Sequence, residues 1–278
     1  MLDHLRTLVG LFPEALAAGL LVASACALLG VFVILKRVVF IGIALSEVAA
    51  CGVAAAMLMH VHPFIGASVL TLAAVALLAR PFEHARIPRD AVLGVVFVLA
   101  AAVSVLLVAQ SGFGLQEVKA LLYGDLILTS PGDLALLTVT LVPVAAYILL
   151  FLRPTVYTFL DRDAARVLGI RVAVWELAFF FALGLAVSAA SKVAGALLVF
   201  CYLVVAPSAA LLLARRLGPV LVAAVVMAIA STLVGLYWSV SCDLPTNPSI
   251  AVACSGGFVL AACGHGVRRL VGRFARRR

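Results

Sequence analysis

Charged residues are scarce in this sequence of 278 residues. Asp, Glu, Lys and Arg together make up 12% of the chain, whereas 66% is hydrophobic and the mean hydropathy is +1.27. So few charges cannot cover the surface of a water-soluble domain of this size. The composition excludes an ordinary soluble protein and indicates one that is integral to a membrane.

Lysine is rarer still, and the residues before each lysine exclude a nucleotide-binding motor within the chain. A P-loop, GxxxxGK[ST], requires a glycine directly before its lysine. The three lysines instead follow Leu35, Val118 and Ser191. Any ATP hydrolysis must therefore come from a separate subunit, and no catalytic residue is predicted in this chain.

Groups typical of membrane-embedded enzymes are also missing from the long apolar segments. Intramembrane proteolysis needs a serine with a histidine partner or two aspartates, and the deep segments offer neither. Prenyl or phospholipid transfer needs clustered aspartates that hold magnesium. The one close pair, Asp161 and Asp163, lies among arginines and is better explained as the acidic start of a helix. A membrane-embedded enzyme remains an alternative from another functional class.

Apolar segments of about 17 to 25 residues, long enough to cross a bilayer, recur along the chain. We predict an all-α integral membrane protein with eight to nine transmembrane helices, forming one domain over residues 1–278. The candidate windows are 15–35, 42–59, 64–79, 91–109, 132–152, 172–190, 193–213, 217–237 and 250–265. Five of the six cysteines lie in these windows without a CxxC pair, and they are interpreted mainly as small packing residues.

Basic residues determine the predicted orientation, because short cytoplasmic loops are enriched in Lys and Arg. If the first span runs inward, seventeen of the twenty basic residues are cytoplasmic, and the other three are Arg6, Lys119 and Lys192. The short N-terminal segment 1–14 is then outside, and the basic tail 266–278 is a cytoplasmic anchor, not a nucleic-acid-binding patch. This pattern predicts a multi-pass protein of the cytoplasmic (inner) membrane.

A basic, amphipathic loop at 153–171, RPTVYTFLDRDAARVLGIR, separates two long apolar runs. A short helix is predicted to begin near Asp161 and to end at Gly169. Ala164, Ala165 and Leu168 then share one face, with Arg171 next to it. Such a segment is suited to contact a partner on the cytoplasmic side.

Five segments, in order and with their spacing, resemble the membrane permease of the ABC-3 family, the importers of zinc, manganese and iron ions. They are KRVVFIGIALSEVAACGVAAA (36–56), LLYGDLILTSPGDL (121–134), FLDRDAARVLGI (159–170), VAGALLVFCYLVVAPSAALLLA (193–214) and DLPTNPSIAV (243–252). The similarity extends from about residue 13 to 265. It implies the ABC-3 importer permease fold.

The resemblance also implies partners. Permeases of this family work as homodimers, each subunit bound to a cytoplasmic ATPase, and they receive metal from an extracytoplasmic binding protein. The loop at 153–171 is then the coupling segment that sits in a groove of the ATPase, with Gly169 as its invariant glycine. No tightly bound cofactor is expected, since the divalent metal is the substrate and the partner uses the ATP.

The second span departs from the family motif. Where the family has GDALSHAxxPG, this chain has GIALSEVAACG, so that Ile43, Glu47 and Cys51 replace the Asp, His and Pro. A carboxylate inside a span is expensive unless it faces water, an ion or the interior of the bundle. Glu47 and Cys51 lie one turn apart on the same face, and both are candidate metal ligands along the translocation path. Taken alone, a cysteine at position 51 is more often a helix-packing residue.

At the predicted outer mouth, His60 and His62 are candidate first contacts for a metal, and a polar loop cap explains them equally well. Asp125, Asp133 and Asp243 lie in the longer outer loops. Their carboxylates could meet basic residues of a binding protein, or they could belong only to turns.

The sequence thus predicts the permease subunit of an ATP-binding cassette importer for a divalent transition metal, with zinc or manganese favoured over iron. A permease for a bulkier metal chelate, of the siderophore or cobalamin kind, is the alternative within the same class. It usually needs a longer chain with more spans.

Overall fold

The computed structural model describes residues 13–78, 89–110, 124 and 126–275. Within these ranges the chain is helical apart from short connections and contains no β-strand, as the sequence predicts. The helices are α1 (Pro13–Leu35), α2 (Val39–Leu58), α3 (Pro63–Leu78), α4 (Arg89–Gln110), α5 (Pro131–Leu150), α6 (Leu152–Leu160), α7 (Arg162–Val167), α8 (Val172–Phe200), α9 (Ala206–Leu213), α10 (Leu217–Cys242) and α11 (Thr246–Ala275). A π-helical turn at Cys201–Val205 joins α8 to α9.

The number of membrane crossings depends on how the longest helical run is divided. Seven helical segments in the described ranges are long and apolar enough to cross a membrane, and one of them, Val172–Leu213, has 42 residues. At 1.5 Å per residue this run would measure about 63 Å, roughly twice the hydrocarbon thickness. It breaks at Gly195, where φ is 70° and ψ is 164°. Counting two crossings there and adding the shorter apolar helix α3 gives nine candidate crossings, the upper value of the predicted range.

Contacts at the two ends of the bundle show that the chain reverses at Gly195. Just before the break, Lys192 forms an ion pair with Asp133 at the start of α5. The Ala194 carbonyl accepts a hydrogen bond from Asn247 Nδ2 at the start of α11, at 3.0 Å. We call this the Gly195 end.

After the reversal, the chain returns to the opposite end of the bundle. There Leu212 O lies 3.0 Å from His265 Nδ1, late in α11. Lys36, which follows α1, pairs at this opposite end with Glu176 near the start of α8. We call it the Lys36 end.

Helix α2 is the most enclosed of the long helices, and it packs between α3, α4 and α8. Its close approach to α3 requires glycine on both sides. A Cβ atom on Gly52 would lie 2.4 Å from Gly66 O, and one on Gly66 would lie 2.3 Å from Gly52 O. Small residues of this kind allow membrane helices to touch along their backbones.

Helices α4 and α5 expose large apolar side chains on their outer faces, among them Val95, Val98, Leu106, Val139 and Leu150. Such faces suit hydrocarbon, where apolar exposure is favourable. By contrast, nearly every side chain in the middle of α2 is buried, including the carboxylate of Glu47. The fold therefore places the unusual motif of the second span inside the bundle and not at its lipid surface.

Candidate metal path and coupling segment

Glu47 is the one acidic residue in the middle of α2, and it is 4% exposed. Its Oε1 has no hydrogen-bond partner among the described residues. The adjacent Ser46 does not supply one, because its hydroxyl donates to Gly42 O within the same helix at 2.6 Å. A buried carboxylate is costly unless an ion, a proton or water compensates for the lost solvation. Within the described residues Glu47 Oε1 therefore lacks compensation for its burial, which makes this residue a candidate contact for an ion.

Cys51 follows Glu47 by one helical turn and is also buried. Its side chain packs in a small apolar cluster with Val48 and Ala100 of α4. These contacts are the ones expected from the packing interpretation of this cysteine. The spacing keeps its thiol on the same side of α2 as Glu47, so metal ligation remains a prediction.

Hydroxyl groups lie on the two helices that pack against α2. Ser68 Oγ of α3 and Ser188 Oγ of α8 are 3.2 Å apart. Thr71 of α3 is fully buried, and its Oγ1 has no partner within the described part of the chain. Single serines and threonines are common in membrane helices, so no sequence signal indicated that Ser68 and Ser188 would meet. These hydroxyls lie where α3 packs on α8.

Metal-binding side chains are sparse in the single chain. The described residues contain no group of three or more His, Cys, Asp or Glu side chains close enough to hold a metal. A transition metal in a stable protein site usually has four or more ligands. The described part of one chain therefore offers only incomplete candidate sets, such as Glu47 with Cys51.

The two histidines at 60 and 62 are exposed in the turn between α2 and α3. His62 Nδ1 accepts a hydrogen bond from the backbone N–H of Phe64 at 3.3 Å, so this ring caps the start of α3. A neutral imidazole that accepts at Nδ1 carries its proton on Nε2, and a metal must displace that proton or break the cap. His60 has a left-handed backbone, with φ of 55°. The loop-cap alternative thus describes the observed contacts of His62.

The three carboxylates predicted for the outer loops have different surroundings. Asp133 is partly buried, forms a capping box with Ser130 at the start of α5 and pairs with Lys192. Asp243 is exposed and ends α10 in a left-handed conformation, with φ of 51°. Asp125 lies outside the described residues. The local contacts of Asp133 therefore reduce its availability for a binding protein, whereas Asp243 is accessible in the single chain.

The predicted short helix in the coupling segment is present as α7. Asp161 is its N-cap, and Asp161 Oδ1 accepts hydrogen bonds from the backbone N–H groups of Asp163 and Ala164. The helix ends where Gly169 N donates to Arg166 O and Ile170 N donates to Ala165 O, the paired bonds of a Schellman motif. Gly169 has φ of 76°, and a Cβ atom there would meet nothing within 4 Å. Glycine is therefore favoured at 169 by the backbone conformation and not by lack of space.

The exposed face of α7 differs from the predicted one. Ala165 is 0% exposed, because α7 lies against α6 and α8 with this residue turned toward them. Ala164 is intermediate, whereas Leu168 is exposed and Val167 is 88% exposed. The prediction that Ala165 belongs to the partner-binding face is therefore corrected: packing on the rest of the bundle occupies it. Val167 and Leu168 provide the accessible apolar surface.

A second carboxylate lies within a span and was not predicted from the sequence as a site residue. Glu176 lies in the second turn of α8 and pairs with Lys36, across 140 positions of sequence. The available signal was an acidic residue inside the run VAVWELAFFF, which is otherwise apolar. Glu47 is therefore not the only acidic residue within a predicted span, but Glu176 has a cation beside it.

Comparisons with known proteins agree with this architecture. The family model described as ABC 3 transport family matches residues 10–264. The manganese transport system membrane protein MntC of Halalkalibacterium halodurans is 29% identical over 249 residues, which cover 89% of this chain and 85% of that protein. The high-affinity zinc uptake system membrane protein ZnuB of Haemophilus influenzae is 26% identical over 251 residues, covering 90% and 96%.

A solved structure has the same fold. A chain of PsaBC from Streptococcus pneumoniae, in complex with Fab, superposes with a TM-score of 0.84 at 20% identity, covering 94% of this chain and 95% of that one. The structural likeness extends over the whole helical bundle, and the family model covers all but the two ends of the sequence. This chain is an all-α polytopic membrane protein that belongs to the ABC-3 transport family.

Proposed function

We propose that this chain is the membrane-spanning permease subunit of an ATP-binding cassette importer that carries a divalent transition-metal ion, manganese or zinc. Membership of the ABC-3 family supports the transport class, and the cargoes named for MntC and ZnuB support the metal. The observation that carries the proposal for this chain is the carboxylate of Glu47. It is buried inside the bundle with one oxygen unpartnered among the described residues.

The incomplete ligand set supports assembly as a homodimer. Two copies would bring Glu47 and Cys51 twice to a shared path and so supply four ligand atoms. A site with so few ligands suits an ion that must also leave. Oxygen ligands suit manganese, whereas a thiolate favours zinc.

A separate ATPase dimer is the proposed source of energy, since no lysine of this chain lies in a P-loop. We place the exposed Val167 and Leu168 of α7 in a groove of that ATPase. Asp161 and Gly169 set the start and the end of the short helix that presents them, while Ala164 and Ala165 hold it to the bundle.

The Gly195 end is proposed to face the extracytoplasmic side, where a metal-binding protein delivers the ion. His60 and His62 would make the first metal contacts there, and Asp243 with Asp125 and Asp133 would meet the binding protein. The Lys36 end would face the cytoplasm, with the N-terminus outside and the C-terminus inside. This arrangement puts the basic segments on the side that the positive-inside rule requires, in one membrane domain of the cytoplasmic membrane.

Replacing Glu47 tests the metal path. Glu47→Gln keeps the volume of the side chain but removes its charge, so uptake of manganese and zinc by proteoliposomes containing the permease with its ATPase should fall at least about tenfold, the loss of roughly 1.4 kcal/mol of transition-state stabilisation. Asp90→Asn, at an exposed acid at the start of α4, is the matched control and should transport normally. Normal uptake with an unchanged metal preference in Glu47→Gln would refute the assignment.

Cysteine labelling tests the orientation. In a background without native cysteines, single cysteines at 62 and 241 should react with an impermeant maleimide added to intact cells, and those at 86 and 162 should react only after the membrane is opened. The expectation follows from the distribution of Lys and Arg. Reaction of position 86 or 162 in intact cells contradicts the proposed orientation.

A further inference from the structure

The ammonium group of Lys36 is the meeting point of three parts of the molecule. Lys36 lies in the turn between α1 and α2, and its side chain is 7% exposed. Nζ pairs with the carboxylate of Glu176 in α8, which is 20% exposed. It also lies 4.2 Å from the ring centroid of Phe180 in α8 and 4.9 Å from that of Phe159 in α6. These distances are within the range of cation–π attraction.

Phe159, one of the two rings beside the ammonium group of Lys36, belongs to the coupling segment. Phe159 lies two residues before Asp161, the residue that caps α7. Its ring also packs edge-on against Phe179 of α8, with centroids 4.8 Å apart, and against Phe32 of α1, at 6.4 Å. A displacement of α6 and α7 must therefore move Phe159 against both the cation and the end of α1.

The turn that holds Lys36 leads directly into the start of α2, the helix that carries Glu47. Lys36 N donates to Phe32 O, and Val38 N donates to Val33 O, so the turn is tied to the last turn of α1. Helix α2 begins at Val39, three residues after Lys36. Glu47 lies about two turns further along, or roughly 12 Å of helical rise. The cation thus sits between the segment proposed to touch the ATPase and the helix proposed to contact the metal.

Stability alone is a weak reason for such an arrangement. The desolvation of a buried ion pair commonly offsets its attraction, and apolar side chains of similar volume often stabilise a protein as well or better. A buried pair does fix which groups meet, because breaking it leaves a charge without its partner. Lys36 therefore holds Phe159, Glu176 and the α1–α2 turn in one relative position.

We propose that Lys36, through Glu176 and Phe159, is a positioning residue that makes α6 and the start of α2 move as one body, so that movement of the coupling segment reaches the helix bearing Glu47. This inference rests on the proposed function for its transport consequence. The mechanical link itself does not depend on which ion is carried.

Spin-label distances test the link directly. Leu160 in α6 and Phe40 in α2 are both exposed and are suitable sites for Leu160→Cys and Phe40→Cys in a background without native cysteines. In the complex of permease and ATPase, the distance distribution between the two labels should be narrow and unchanged when ATP binds. In Lys36→Met it should broaden or shift by several ångströms with ATP. Arg37→Met, at the exposed neighbouring cation, is the matched control and should behave as the unsubstituted protein.

Coupling measurements separate a positioning role from a stabilising one. Lys36→Met with Glu176→Met removes both charges of this pair, so that neither is left without the other, and the double variant should fold. We expect its ATP hydrolysed per ion imported to rise at least about fivefold, whereas Lys36→Arg should restore the normal ratio because it keeps the cation and its ring contacts. A purely structural pair predicts a normal ratio in the double variant.

The two proposals fail in different ways. Label distances in Lys36→Met that match the unsubstituted protein with and without ATP would overturn the link, whatever the metal result. Absence of manganese and zinc uptake by the unsubstituted complex would overturn the proposed function, while the distances would still decide whether Lys36 joins α6 to α2.

Discussion

Two carboxylates within spans, on neighbouring helices, have opposite surroundings. Glu176 of α8 faces the ammonium of Lys36, and the rings of Phe159 and Phe180 lie around that cation. Glu47 of α2 is more deeply buried, yet one of its oxygens has no partner in the described chain. The first carboxylate is neutralised by the fold itself. The second lacks this compensation among the described residues, and on that difference we propose Glu47, and not Glu176, as a contact for the transported ion.

The largest expected difference between the two sites concerns stability. Glu176→Gln leaves Lys36 without its carboxylate and should destabilise the protein by up to about 3 kcal/mol. Glu47→Gln removes a buried charge that has no ion pair among the described residues, so it should leave stability unchanged or raise it. Thermal unfolding of the purified permease in detergent, without added metal, measures both. Equal destabilisation by the two variants would show that Glu47 also has a cationic partner. The proposed difference between the two carboxylates would then be wrong.

The next largest effect is expected at the Lys36 end, where the backbone conformation of one glycine determines how the coupling segment turns. Gly169→Val places a β-branched residue at φ of 76°, with about 1–2 kcal/mol of strain, and should disturb the end of α7. We expect metal uptake to fall about tenfold while the variant still inserts and folds. Gly218→Val is the control, because Gly218 also has open space around its Cβ position but no left-handed backbone. Similar loss in both variants would assign the effect to side-chain size and not to the turn.

The smallest effect concerns the neighbour of Glu47. Cys51→Ala removes a buried sulfur from its cluster with Val48 and Ala100, with a loss of stability of about 1 kcal/mol. If Cys51 also contacts the ion, uptake of zinc should fall about threefold while uptake of manganese changes less, because a thiolate prefers the softer metal. Parallel uptake assays with the two ions check this. Equal, small changes for both metals would leave Cys51 as a packing residue.

Local sequence chemistry predicted where the short helix of the coupling segment begins and ends. Asp161 as N-cap and Gly169 as the end of the helix depend on residues within one or two turns, so the sequence pattern contained the necessary information. The burial of Ala165 could not be predicted in the same way. It depends on how α7 lies against α6 and α8, and a short amphipathic pattern does not define which side faces the bundle.

For the candidate metal path as well, the sequence predicted some features and tertiary packing decided others. The sequence identified Glu47 as unusual because a carboxylate within an apolar run needs a reason wherever the run packs. It could not predict that the Ser68 and Ser188 hydroxyls meet beside α2, nor that Thr71 is buried without a partner. Serine and threonine hydroxyls so often donate a hydrogen bond to a carbonyl of their own helix that their position in the sequence carries little information about tertiary contacts.

By itself, the sequence determined that this protein is a helical membrane protein, where its spans lie, and which family motif it modifies at 43, 47 and 51. Hydropathy and the local chemistry of caps act over a few residues, and the bilayer leaves only helices or closed barrels as spanning structures. Tertiary structure decided which of the two acids within spans has a cation beside it. Lys36 and Glu176 are 140 positions apart, and their pairing follows from the packing of α1 and α6 on α8, which no local pattern encodes.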